Sequence, residues 1–295
     1  MISVVIQGPI NSRTYDCRRN ILRLIDEFKN LKLVDNIFIS TWSDNDFIFG
    51  DQKVVYIKNT SPDFFDNMNR YKQFYSIHRA VEEIKNIGIS KYILKIRTDQ
   101  FISPSIIQFI IEFYNKSDFD KDKLKNQKDY IISSHSYNSI PYFIGDFYFA
   151  GRVDDILLYT STYNRYKNFC HQWLPEVDIV IKYMEVLDVD TRLGLFKYLN
   201  IHKRSDVSLK ALNRWNSIYT NRFSIFPKAI FDTLEWRGEM FANDLHDYQS
   251  EWQLAKKNLD TYLANNLHQD NSPNIKRRLK DYIIFILRIL NFKGV

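Results

Sequence analysis

Residues 91–100, KYILKIRTDQ, combine a short apolar run with charges that enter before the run ends. The apolar run predicts a buried strand, and a period of two residues puts Lys95, Arg97 and Asp99 on one face. Charges on a buried sheet must be paired or face a site, because an isolated buried ion is costly. Open α/β sheets bind ligands at the carboxyl ends of their strands. We therefore predict a ligand site at Asp99; the alternative is an Arg97–Asp99 ion pair at the strand mouth.

The segments before this stretch alternate between strand and helix patterns. Short β-rich runs at residues 2–6, 36–42 and 53–57 predict strands, and the apolar periodicity of 68–87 predicts a long helix. With a helix between the first two strands, the order is β, α, β, β, α, β. This alternation predicts a largely parallel sheet of nucleotide-binding type.

Composition narrows the class of protein. The chain has 295 residues, of which 45% are hydrophobic and 26% charged, as is ordinary for soluble globular proteins. The apolar runs are shorter than the ~18 residues that span a membrane, and no basic flank precedes the first strand. Two distant cysteines, Cys17 and Cys170, lack metal-site spacing. These features favour a reduced, cytoplasmic protein.

The net charge of +6 is concentrated near the carboxyl terminus. From Ile275 onward there are six basic residues and one acid, so the remaining chain is close to neutral. A nucleic-acid-binding surface needs basic charge over a broad face, so no nucleic-acid partner is expected. Residues 283–290 add seven large apolar side chains interrupted by Arg288. The basic, apolar tail predicts peripheral binding to the anionic inner face of the cytoplasmic membrane; the alternative is a docked terminal helix.

Five short motifs occur in order between residues 4 and 176. Together they resemble the WavE family, bacterial proteins of lipopolysaccharide and capsule synthesis that are regarded as glycosyltransferases. Asn69-Arg70 with Gln73, at the start of the long helix, is also similar to that family's pattern. The motifs are VVIQGPI (4–10), ISTW (39–42), KIRTD (95–99), GDFYFAG (145–151) and LPE (174–176).

The resemblance implies a fold, a donor and an acceptor. The expected fold is α/β: a GT-A-like, Rossmann-type mixed sheet, mostly parallel and flanked by helices, with a helical C-terminal extension. We expect a nucleotide-sugar-binding core over 1–200, a mostly helical extension over 201–272 and the basic tail over 273–295. The expected partners are a nucleotide sugar and a lipid-linked or soluble glycan acceptor.

GT-A enzymes commonly hold a divalent cation on an Asp-x-Asp turn, and the corresponding place here has one acid. It reads Arg97-Thr98-Asp99. Asp99 is the predicted ligand for a Mn or Mg ion, because such ions keep several water and phosphate ligands. Arg97 is expected to supply part of the countercharge to the donor diphosphate.

Other donor-binding candidates flank the predicted strands. Each has a structural alternative: an ordinary turn after the first strand, a core aromatic at Trp42, and a solvated helix-start residue at Arg70. The candidate donor-binding residues are Gln7, Gly8, Pro9, Trp42, Arg70, Arg97 and Asp99.

Two carboxylates are candidates for the catalytic base that takes the proton of the acceptor hydroxyl. Asp146 lies in an aromatic segment, where burial is expected to raise its pKa; the alternative is a turn-capping acid. Glu176 occupies the second position of a predicted helix, where a carboxylate also stabilises the helix dipole. The environment favours Asp146.

The preferred function is sugar transfer to a lipid-linked bacterial surface glycan. A sugar nucleotidyltransferase is the alternative enzyme, although it normally shows a glycine-rich loop where this chain has only Gly8. A peripheral membrane scaffold of glycan assembly is the alternative without catalysis.

Truncation after Asn271 is expected to preserve the fold and abolish binding to anionic vesicles, since each basic residue contributes about 1 kcal/mol at such a surface. Vesicle co-sedimentation checks this, and binding of the full chain should weaken as salt rises from roughly 50 to 500 mM. Aggregation, or a large fall in melting temperature on truncation, would show that the tail belongs to the core.

Overall fold

The computed structural model describes residues 1–11, 15–43, 50–64, 66, 69–121, 131–136, 144–165, 175–187 and 222–241. The strands are β1 (Ile2–Gln7), β2 (Val34–Trp42), β3 (Val54–Asn59), β4 (Tyr92–Arg97), β5 (Gln100–Phe101), β6 (Ile131–Ser133), β7 (Phe149–Arg152), β8 (Phe223–Ile225), β9 (Glu235–Trp236) and β10 (Glu239–Met240). The α-helices are α1 (Cys17–Lys29), α2 (Arg70–Ile87), α3 (Ser105–Lys121), α4 (Val153–Thr160), α5 (Pro175–Val186) and α6 (Lys228–Phe231).

Seven strands form the main sheet in the order β3-β2-β1-β4-β7-β6-β8. The β1–β2, β2–β3, β1–β4 and β6–β8 pairs are parallel, whereas β7 is antiparallel to both β4 and β6. All strands of this sheet except β7 therefore run in one direction. This arrangement confirms the predicted α/β class, a mixed sheet that is mostly parallel and flanked by helices.

Helices cover both faces of the sheet, so alternate residues of the central strands enter two different cores. On one face, Ile93 packs with α2, α4 and α5, and on the other Leu94 and Ile96 pack with α1 and α3. The predicted two-residue alternation of β4 is therefore confirmed. It puts Lys95 and Arg97 on the α2 side, where a charged side chain must find partners inside the protein.

A small second sheet extends the carboxyl end of β4. It has the order β10-β9-β5, and β9 and β10 form a hairpin that pairs with β5 through Gln100 and Trp236. Strand β8 of the main sheet and this hairpin both come from residues 222–241. Part of the segment predicted as a helical extension thus completes both sheets.

The rest of that segment, and the basic tail over 273–295, lie outside the described residues. The division into core, extension and tail therefore stays a prediction. Within the described ranges, none of the helices has the length and apolarity to cross a membrane.

Gly8 allows the end of β1 to pack closely against the end of β4. Its φ is +138°, a conformation that residues with side chains rarely adopt, and a Cβ there would lie 2.5 Å from Thr98 Oγ1. The N–H of Gly8 donates to the Ser40 carbonyl, and the N–H of Thr98 donates to the Gln7 carbonyl. These two bonds continue the β1 pairings by one residue and hold the three strand ends in register.

Gly8→Ala is expected to lower the free energy of unfolding by about 1–3 kcal/mol, because it combines backbone strain with a close contact. Denaturant unfolding of the variant measures this loss. Gly50→Ala is the matched control, because its added Cβ would have no atom within 4 Å. Equal stability of the two variants would contradict the requirement for glycine at position 8.

Candidate active site

The sheet topology gathers the predicted site at one edge. Gln7 pairs with Ser40 on one side and Arg97 on the other, so the carboxyl ends of β1, β2 and β4 lie together. Because β7 is antiparallel to β4, with Phe149 opposite Lys95, the residues before β7 reach this same edge. Asp146 is among them. An antiparallel strand inside a parallel sheet thus delivers a carboxylate to the ligand-binding side.

The turn after β4 is held rigidly from α1. The side-chain amide of Asn20 donates to the carbonyl oxygens of Thr98, at 2.8 Å, and Gln100. Both carbonyls are thereby satisfied inside the protein. This support gives Asp99 a defined position at the strand mouth.

Asp99 accepts hydrogen bonds on both of its carboxylate oxygens. Arg97 makes a two-pronged ion pair with it, from Nε to Oδ1 at 3.0 Å and from Nη2 to Oδ2 at 3.1 Å. The indole N–H of Trp236 donates to Oδ2 at 3.0 Å, and Arg237 Nε lies 3.6 Å from the same oxygen. Burial disfavours the charged carboxylate, yet these donors, Arg97 first, hold the pKa of Asp99 below its ordinary value.

This donor set fits a divalent cation poorly. A metal ion at Asp99 would compete with three hydrogen bonds and would lie beside two guanidinium groups. Among the described residues, no group of three or more His, Cys, Asp or Glu side chains is placed to hold a metal. The Mn or Mg site at Asp99 stays a prediction of the sequence, and the surroundings of the carboxylate speak against it.

Lys95 is a buried cation that sequence reasoning placed on the site face without a role. Its side chain is fully enclosed, and Nζ donates to the carbonyl oxygens of Asp146 at 2.5 Å and Phe147 at 3.3 Å. Burial lowers the pKa of Lys95 to about 7, although the negative charge of Asp146 opposes the shift. Lys95 therefore ties β4 to the segment that carries Asp146.

Asp146 is a buried carboxylate that is ionised and hydrogen-bonded within the protein. It is 6% exposed and accepts a hydrogen bond from the side-chain amide of Gln73 in the first turn of α2. Burial acts to raise its pKa, but Lys95, Arg97 and the Gln73 bond together lower it below the ordinary range. The predicted rise in the pKa of Asp146 is therefore wrong. The aromatic sequence around Asp146 suggested an apolar environment, but in the folded protein the positive charges of Lys95 and Arg97 act on its carboxylate.

Glu176 has the environment that was expected of Asp146. Helix α5 begins at Pro175 as predicted, and Glu176 stands in its first turn. Burial, and then the neighbouring charge of Asp146, raise the pKa of Glu176 to about 7, while its backbone hydrogen bond, Arg70 and Arg97 act in the opposite direction. A carboxyl that titrates near neutrality suits a general base. Asp146 and Glu176 both remain candidates for the catalytic base. Because Glu176 has the raised pKa, it is now preferred over Asp146.

Arg70 is internal rather than solvated. It is 1% exposed, and its Nη1 lies 3.9 Å from Asp178 Oδ2, so it links the first turns of α2 and α5. The carboxylate of Asp66 accepts from the N–H groups of Tyr71 and Lys72 and already occupies the amino end of α2. The donor-binding role of Arg70 stays a prediction.

The remaining donor-binding candidates divide by exposure. Gln7 and Gly8 are buried in the strand register, whereas Pro9 is exposed beside them. Trp42 is 9% exposed at the end of β2, with Lys72 Nζ 5.8 Å from its ring centre. The structure brings these residues to the edge that carries Asp99 and leaves their contacts with a donor as predictions.

Two site residues had no signal in the sequence. Trp236 and Arg237 reach Asp99 from 137 and 138 positions further along the chain, through the hairpin that pairs with β5. Sequence patterns report only local periodicity, so they cannot predict that these two segments pair. Lys95, by contrast, was visible as a lysine inside an apolar strand.

The chain belongs to the WavE lipopolysaccharide synthesis family, whose match covers residues 2–230. This range includes every candidate discussed from Gln7 to Glu176 and confirms the resemblance seen in the short motifs. The family is described as one of lipopolysaccharide synthesis. No curated protein matches the chain significantly.

Solved structures are similar at low identity. One is 4-diphosphocytidyl-2C-methyl-D-erythritolsynthase from Anaerococcus prevotii DSM 20548, with 12% identity, 75% of this chain and 96% of that chain covered, and a TM-score of 0.35. A glycosyltransferase involved in the glycosylation of the major capsid of PBCV-1 has 10% identity, coverages of 64% and 78%, and a TM-score of 0.39. HddC from Yersinia pseudotuberculosis has 12% identity, coverages of 53% and 78%, and a TM-score of 0.34.

The raised pKa of Glu176 predicts a pH-dependent stability. Between its ordinary value of 4.5 and about 7, the folded state keeps a proton that the unfolded state releases, so stability falls as pH rises through this window. Glu176→Gln removes that fall. The difference in free energy of unfolding between wild type and variant should therefore shift in favour of the variant from pH 4.5 to pH 8.

Denaturant titrations at pH 4.5, 6 and 8 measure this difference. Glu83→Gln, an exposed position on α2, is the matched control and should show no such trend. A difference that is constant with pH would contradict the assigned environment of Glu176.

Proposed function

We propose that the protein is a glycosyltransferase, which moves a sugar from a nucleotide-sugar donor to a lipid-linked bacterial surface glycan. The proposed acceptor class is lipopolysaccharide, lipooligosaccharide or capsule. One observation carries the proposal: the carboxyl edge of the sheet holds the Arg97 guanidinium, paired with Asp99, together with the buried Asp146 carboxylate, and the charges of Arg97 and Asp146 act on Glu176 at the start of α5. A base and an anion-binding cation are the two groups that sugar transfer from a diphosphate requires.

In the proposed reaction, the acceptor hydroxyl gives its proton to Glu176 while its oxygen attacks the anomeric carbon of the donor. The bond between that carbon and the diphosphate oxygen breaks, and the diphosphate leaves with the electron pair. Arg97 stabilises the charge that develops on the leaving oxygen. A base whose pKa lies near the working pH transfers protons most effectively.

Asp146 and Lys95 are assigned positioning roles. Lys95 fixes the backbone at Asp146, and Gln73 fixes its carboxylate, so this negative charge is held close enough to raise the pKa of Glu176. An ionised neighbour makes Glu176 a stronger base than an isolated glutamate. The hydrogen bond between Lys95 and the Asp146 carbonyl also anchors β7 beside β4.

The membrane role belongs to the proposal as well. A lipid-linked acceptor lies at a membrane surface, and the basic, apolar tail over 273–295 suits the anionic inner leaflet. We therefore place the protein at the cytoplasmic face of the membrane, held peripherally. The tail is not required for the chemistry at the sheet edge.

A panel of nucleotide sugars tests the function directly. A bound donor raises the melting temperature, since it binds only the folded state, and donor hydrolysis without acceptor is the expected basal activity. Release of inorganic diphosphate from a nucleoside triphosphate and a sugar phosphate would indicate a nucleotidyltransferase instead. Binding without any turnover, with native acceptor glycan supplied, would favour a scaffold.

Glu176→Gln is expected to lower turnover by about 10²–10⁴-fold and leave donor binding nearly unchanged, because proton removal belongs to the chemical step. Steady-state kinetics and donor titrations measure the two effects separately. Glu83→Gln should match the wild type. If Asp146→Asn reduces turnover strongly while Glu176→Gln does not, Asp146 is the base and the assignment is reversed.

A further inference from the structure

The hairpin of β9 and β10 turns at Arg237 and Gly238, and its first turn residue is unusual. Both residues have positive φ, +54° for Arg237 and +84° for Gly238, as a two-residue type I′ turn requires. Asn, Asp or Gly are the ordinary choices at the first position. An arginine there costs about 1–2 kcal/mol of backbone energy and persists only where its surroundings hold it.

Contacts with the turn that carries Asp99 hold Arg237 in place. The backbone N–H of Arg237 donates to the Asp99 carbonyl at 2.8 Å, and the neighbouring Trp236 donates its indole N–H to the Asp99 carboxylate. Pairing of Trp236 with Gln100 adds a strand ladder to these bonds. The hairpin is therefore docked through Asp99 on both backbone and side chain.

At the Asp99 carboxylate, two solvent-accessible positive charges meet one negative charge. Two guanidinium groups share the single carboxylate of Asp99, with Nε–oxygen distances of 3.0 Å for Arg97 and 3.6 Å for Arg237. The side chains of Arg97 and Arg237 are 29% and 46% exposed, whereas that of Asp99 is 12% exposed. Solvent, or a ligand, thus meets the cations while the anion that aligns them lies beneath.

Aromatic rings support both arginines from the protein side. The guanidinium carbon of Arg237 lies 4.9 Å from the centre of the Trp236 ring, and that of Arg97 lies 6.0 Å from the centre of the Phe147 ring. A cation–π contact restricts a guanidinium without using its N–H donors. Each group retains donors in a fixed plane, the geometry that binds phosphate oxygens in pairs.

We infer that Arg97 and Arg237, aligned by Asp99, form a phosphate-binding site that neutralises a diphosphate group without a divalent cation. The inference deepens the proposed function, on which it rests, since it assigns the diphosphate of the nucleotide-sugar donor to this pair. Asp99 then acts as the residue that orients two arginines, and the one-acid turn replaces the metal-binding Asp-x-Asp pattern. Arg237 becomes a donor-binding residue.

Calorimetric titration of the full chain with inorganic diphosphate and with nucleoside diphosphates tests the site, in buffer with excess EDTA and again with Mn²⁺. Wild type should bind in EDTA, with affinity changed less than about threefold by Mn²⁺. Arg237→Gln should weaken binding by roughly tenfold or more, because charged hydrogen bonds to phosphate are lost. Arg237→Lys should bind with an affinity between those of the wild type and Arg237→Gln.

Arg79→Gln is the matched control, because Arg79 is likewise exposed and paired with one carboxylate, Glu82, on helix α2. It removes the same charge and should leave binding unchanged. Melting curves of both variants separate a lost contact from a lost hairpin, since Gln and Arg bear the same strain at this turn.

Two outcomes would overturn the inference, and they differ from failure of the proposed function. Binding of nucleoside diphosphate that requires Mn²⁺, or that is indifferent to Arg237→Gln in a folded variant, would contradict the arginine site and leave the transferase proposal standing. If the wild type binds neither inorganic nor nucleoside diphosphate under any condition, the proposed function fails and the inference fails with it.

Discussion

The site depends on the burial of one ammonium group, that of Lys95. Its hydrogen bonds to the carbonyl oxygens of Asp146 and Phe147 join β4 to the chain that enters β7. A buried cation is costly alone, so these carbonyls and the Asp146 charge must stay where they are. Because β7 runs against its neighbours, the anchored segment lies at the carboxyl edge. The Lys95 contacts therefore help to hold the segment that carries Asp146 at this edge.

The charged groups around Lys95 explain why the three nearby carboxyl groups differ in their chemistry. Asp146, beside Lys95 and Arg97, is held ionised, and its charge together with burial leaves Glu176 near neutral pKa. Asp99, clasped by Arg97 and Trp236, is ionised as well, but its oxygens are occupied. Three acids of similar intrinsic acidity thus take distinct roles, because each has a different set of neighbours.

Local pattern predicted the framework well. The strands around residues 2–6, 36–42 and 91–97 and the long helix α2 follow from apolar periodicity, which tertiary contacts do not override here. The placement of Arg97 and Asp99 at a strand mouth followed from the same rule. The order of preference between Asp146 and Glu176 did not, because a pKa depends on charges that are distant in sequence. Strand β7 was hidden in an aromatic segment without alternation.

By itself the sequence determined the class of fold, the edge of the sheet that carries the site and the family, because these depend on periodicity and on short motifs. Only the tertiary structure decided which of the two acids has a raised pKa and which distant residues contact Asp99. Lys95 meets Asp146 across 51 positions, and Trp236 meets Asp99 across 137. Such contacts arise when strands pair in a particular order, and hydrogen-bonded pairing between distant segments leaves no trace in local pattern.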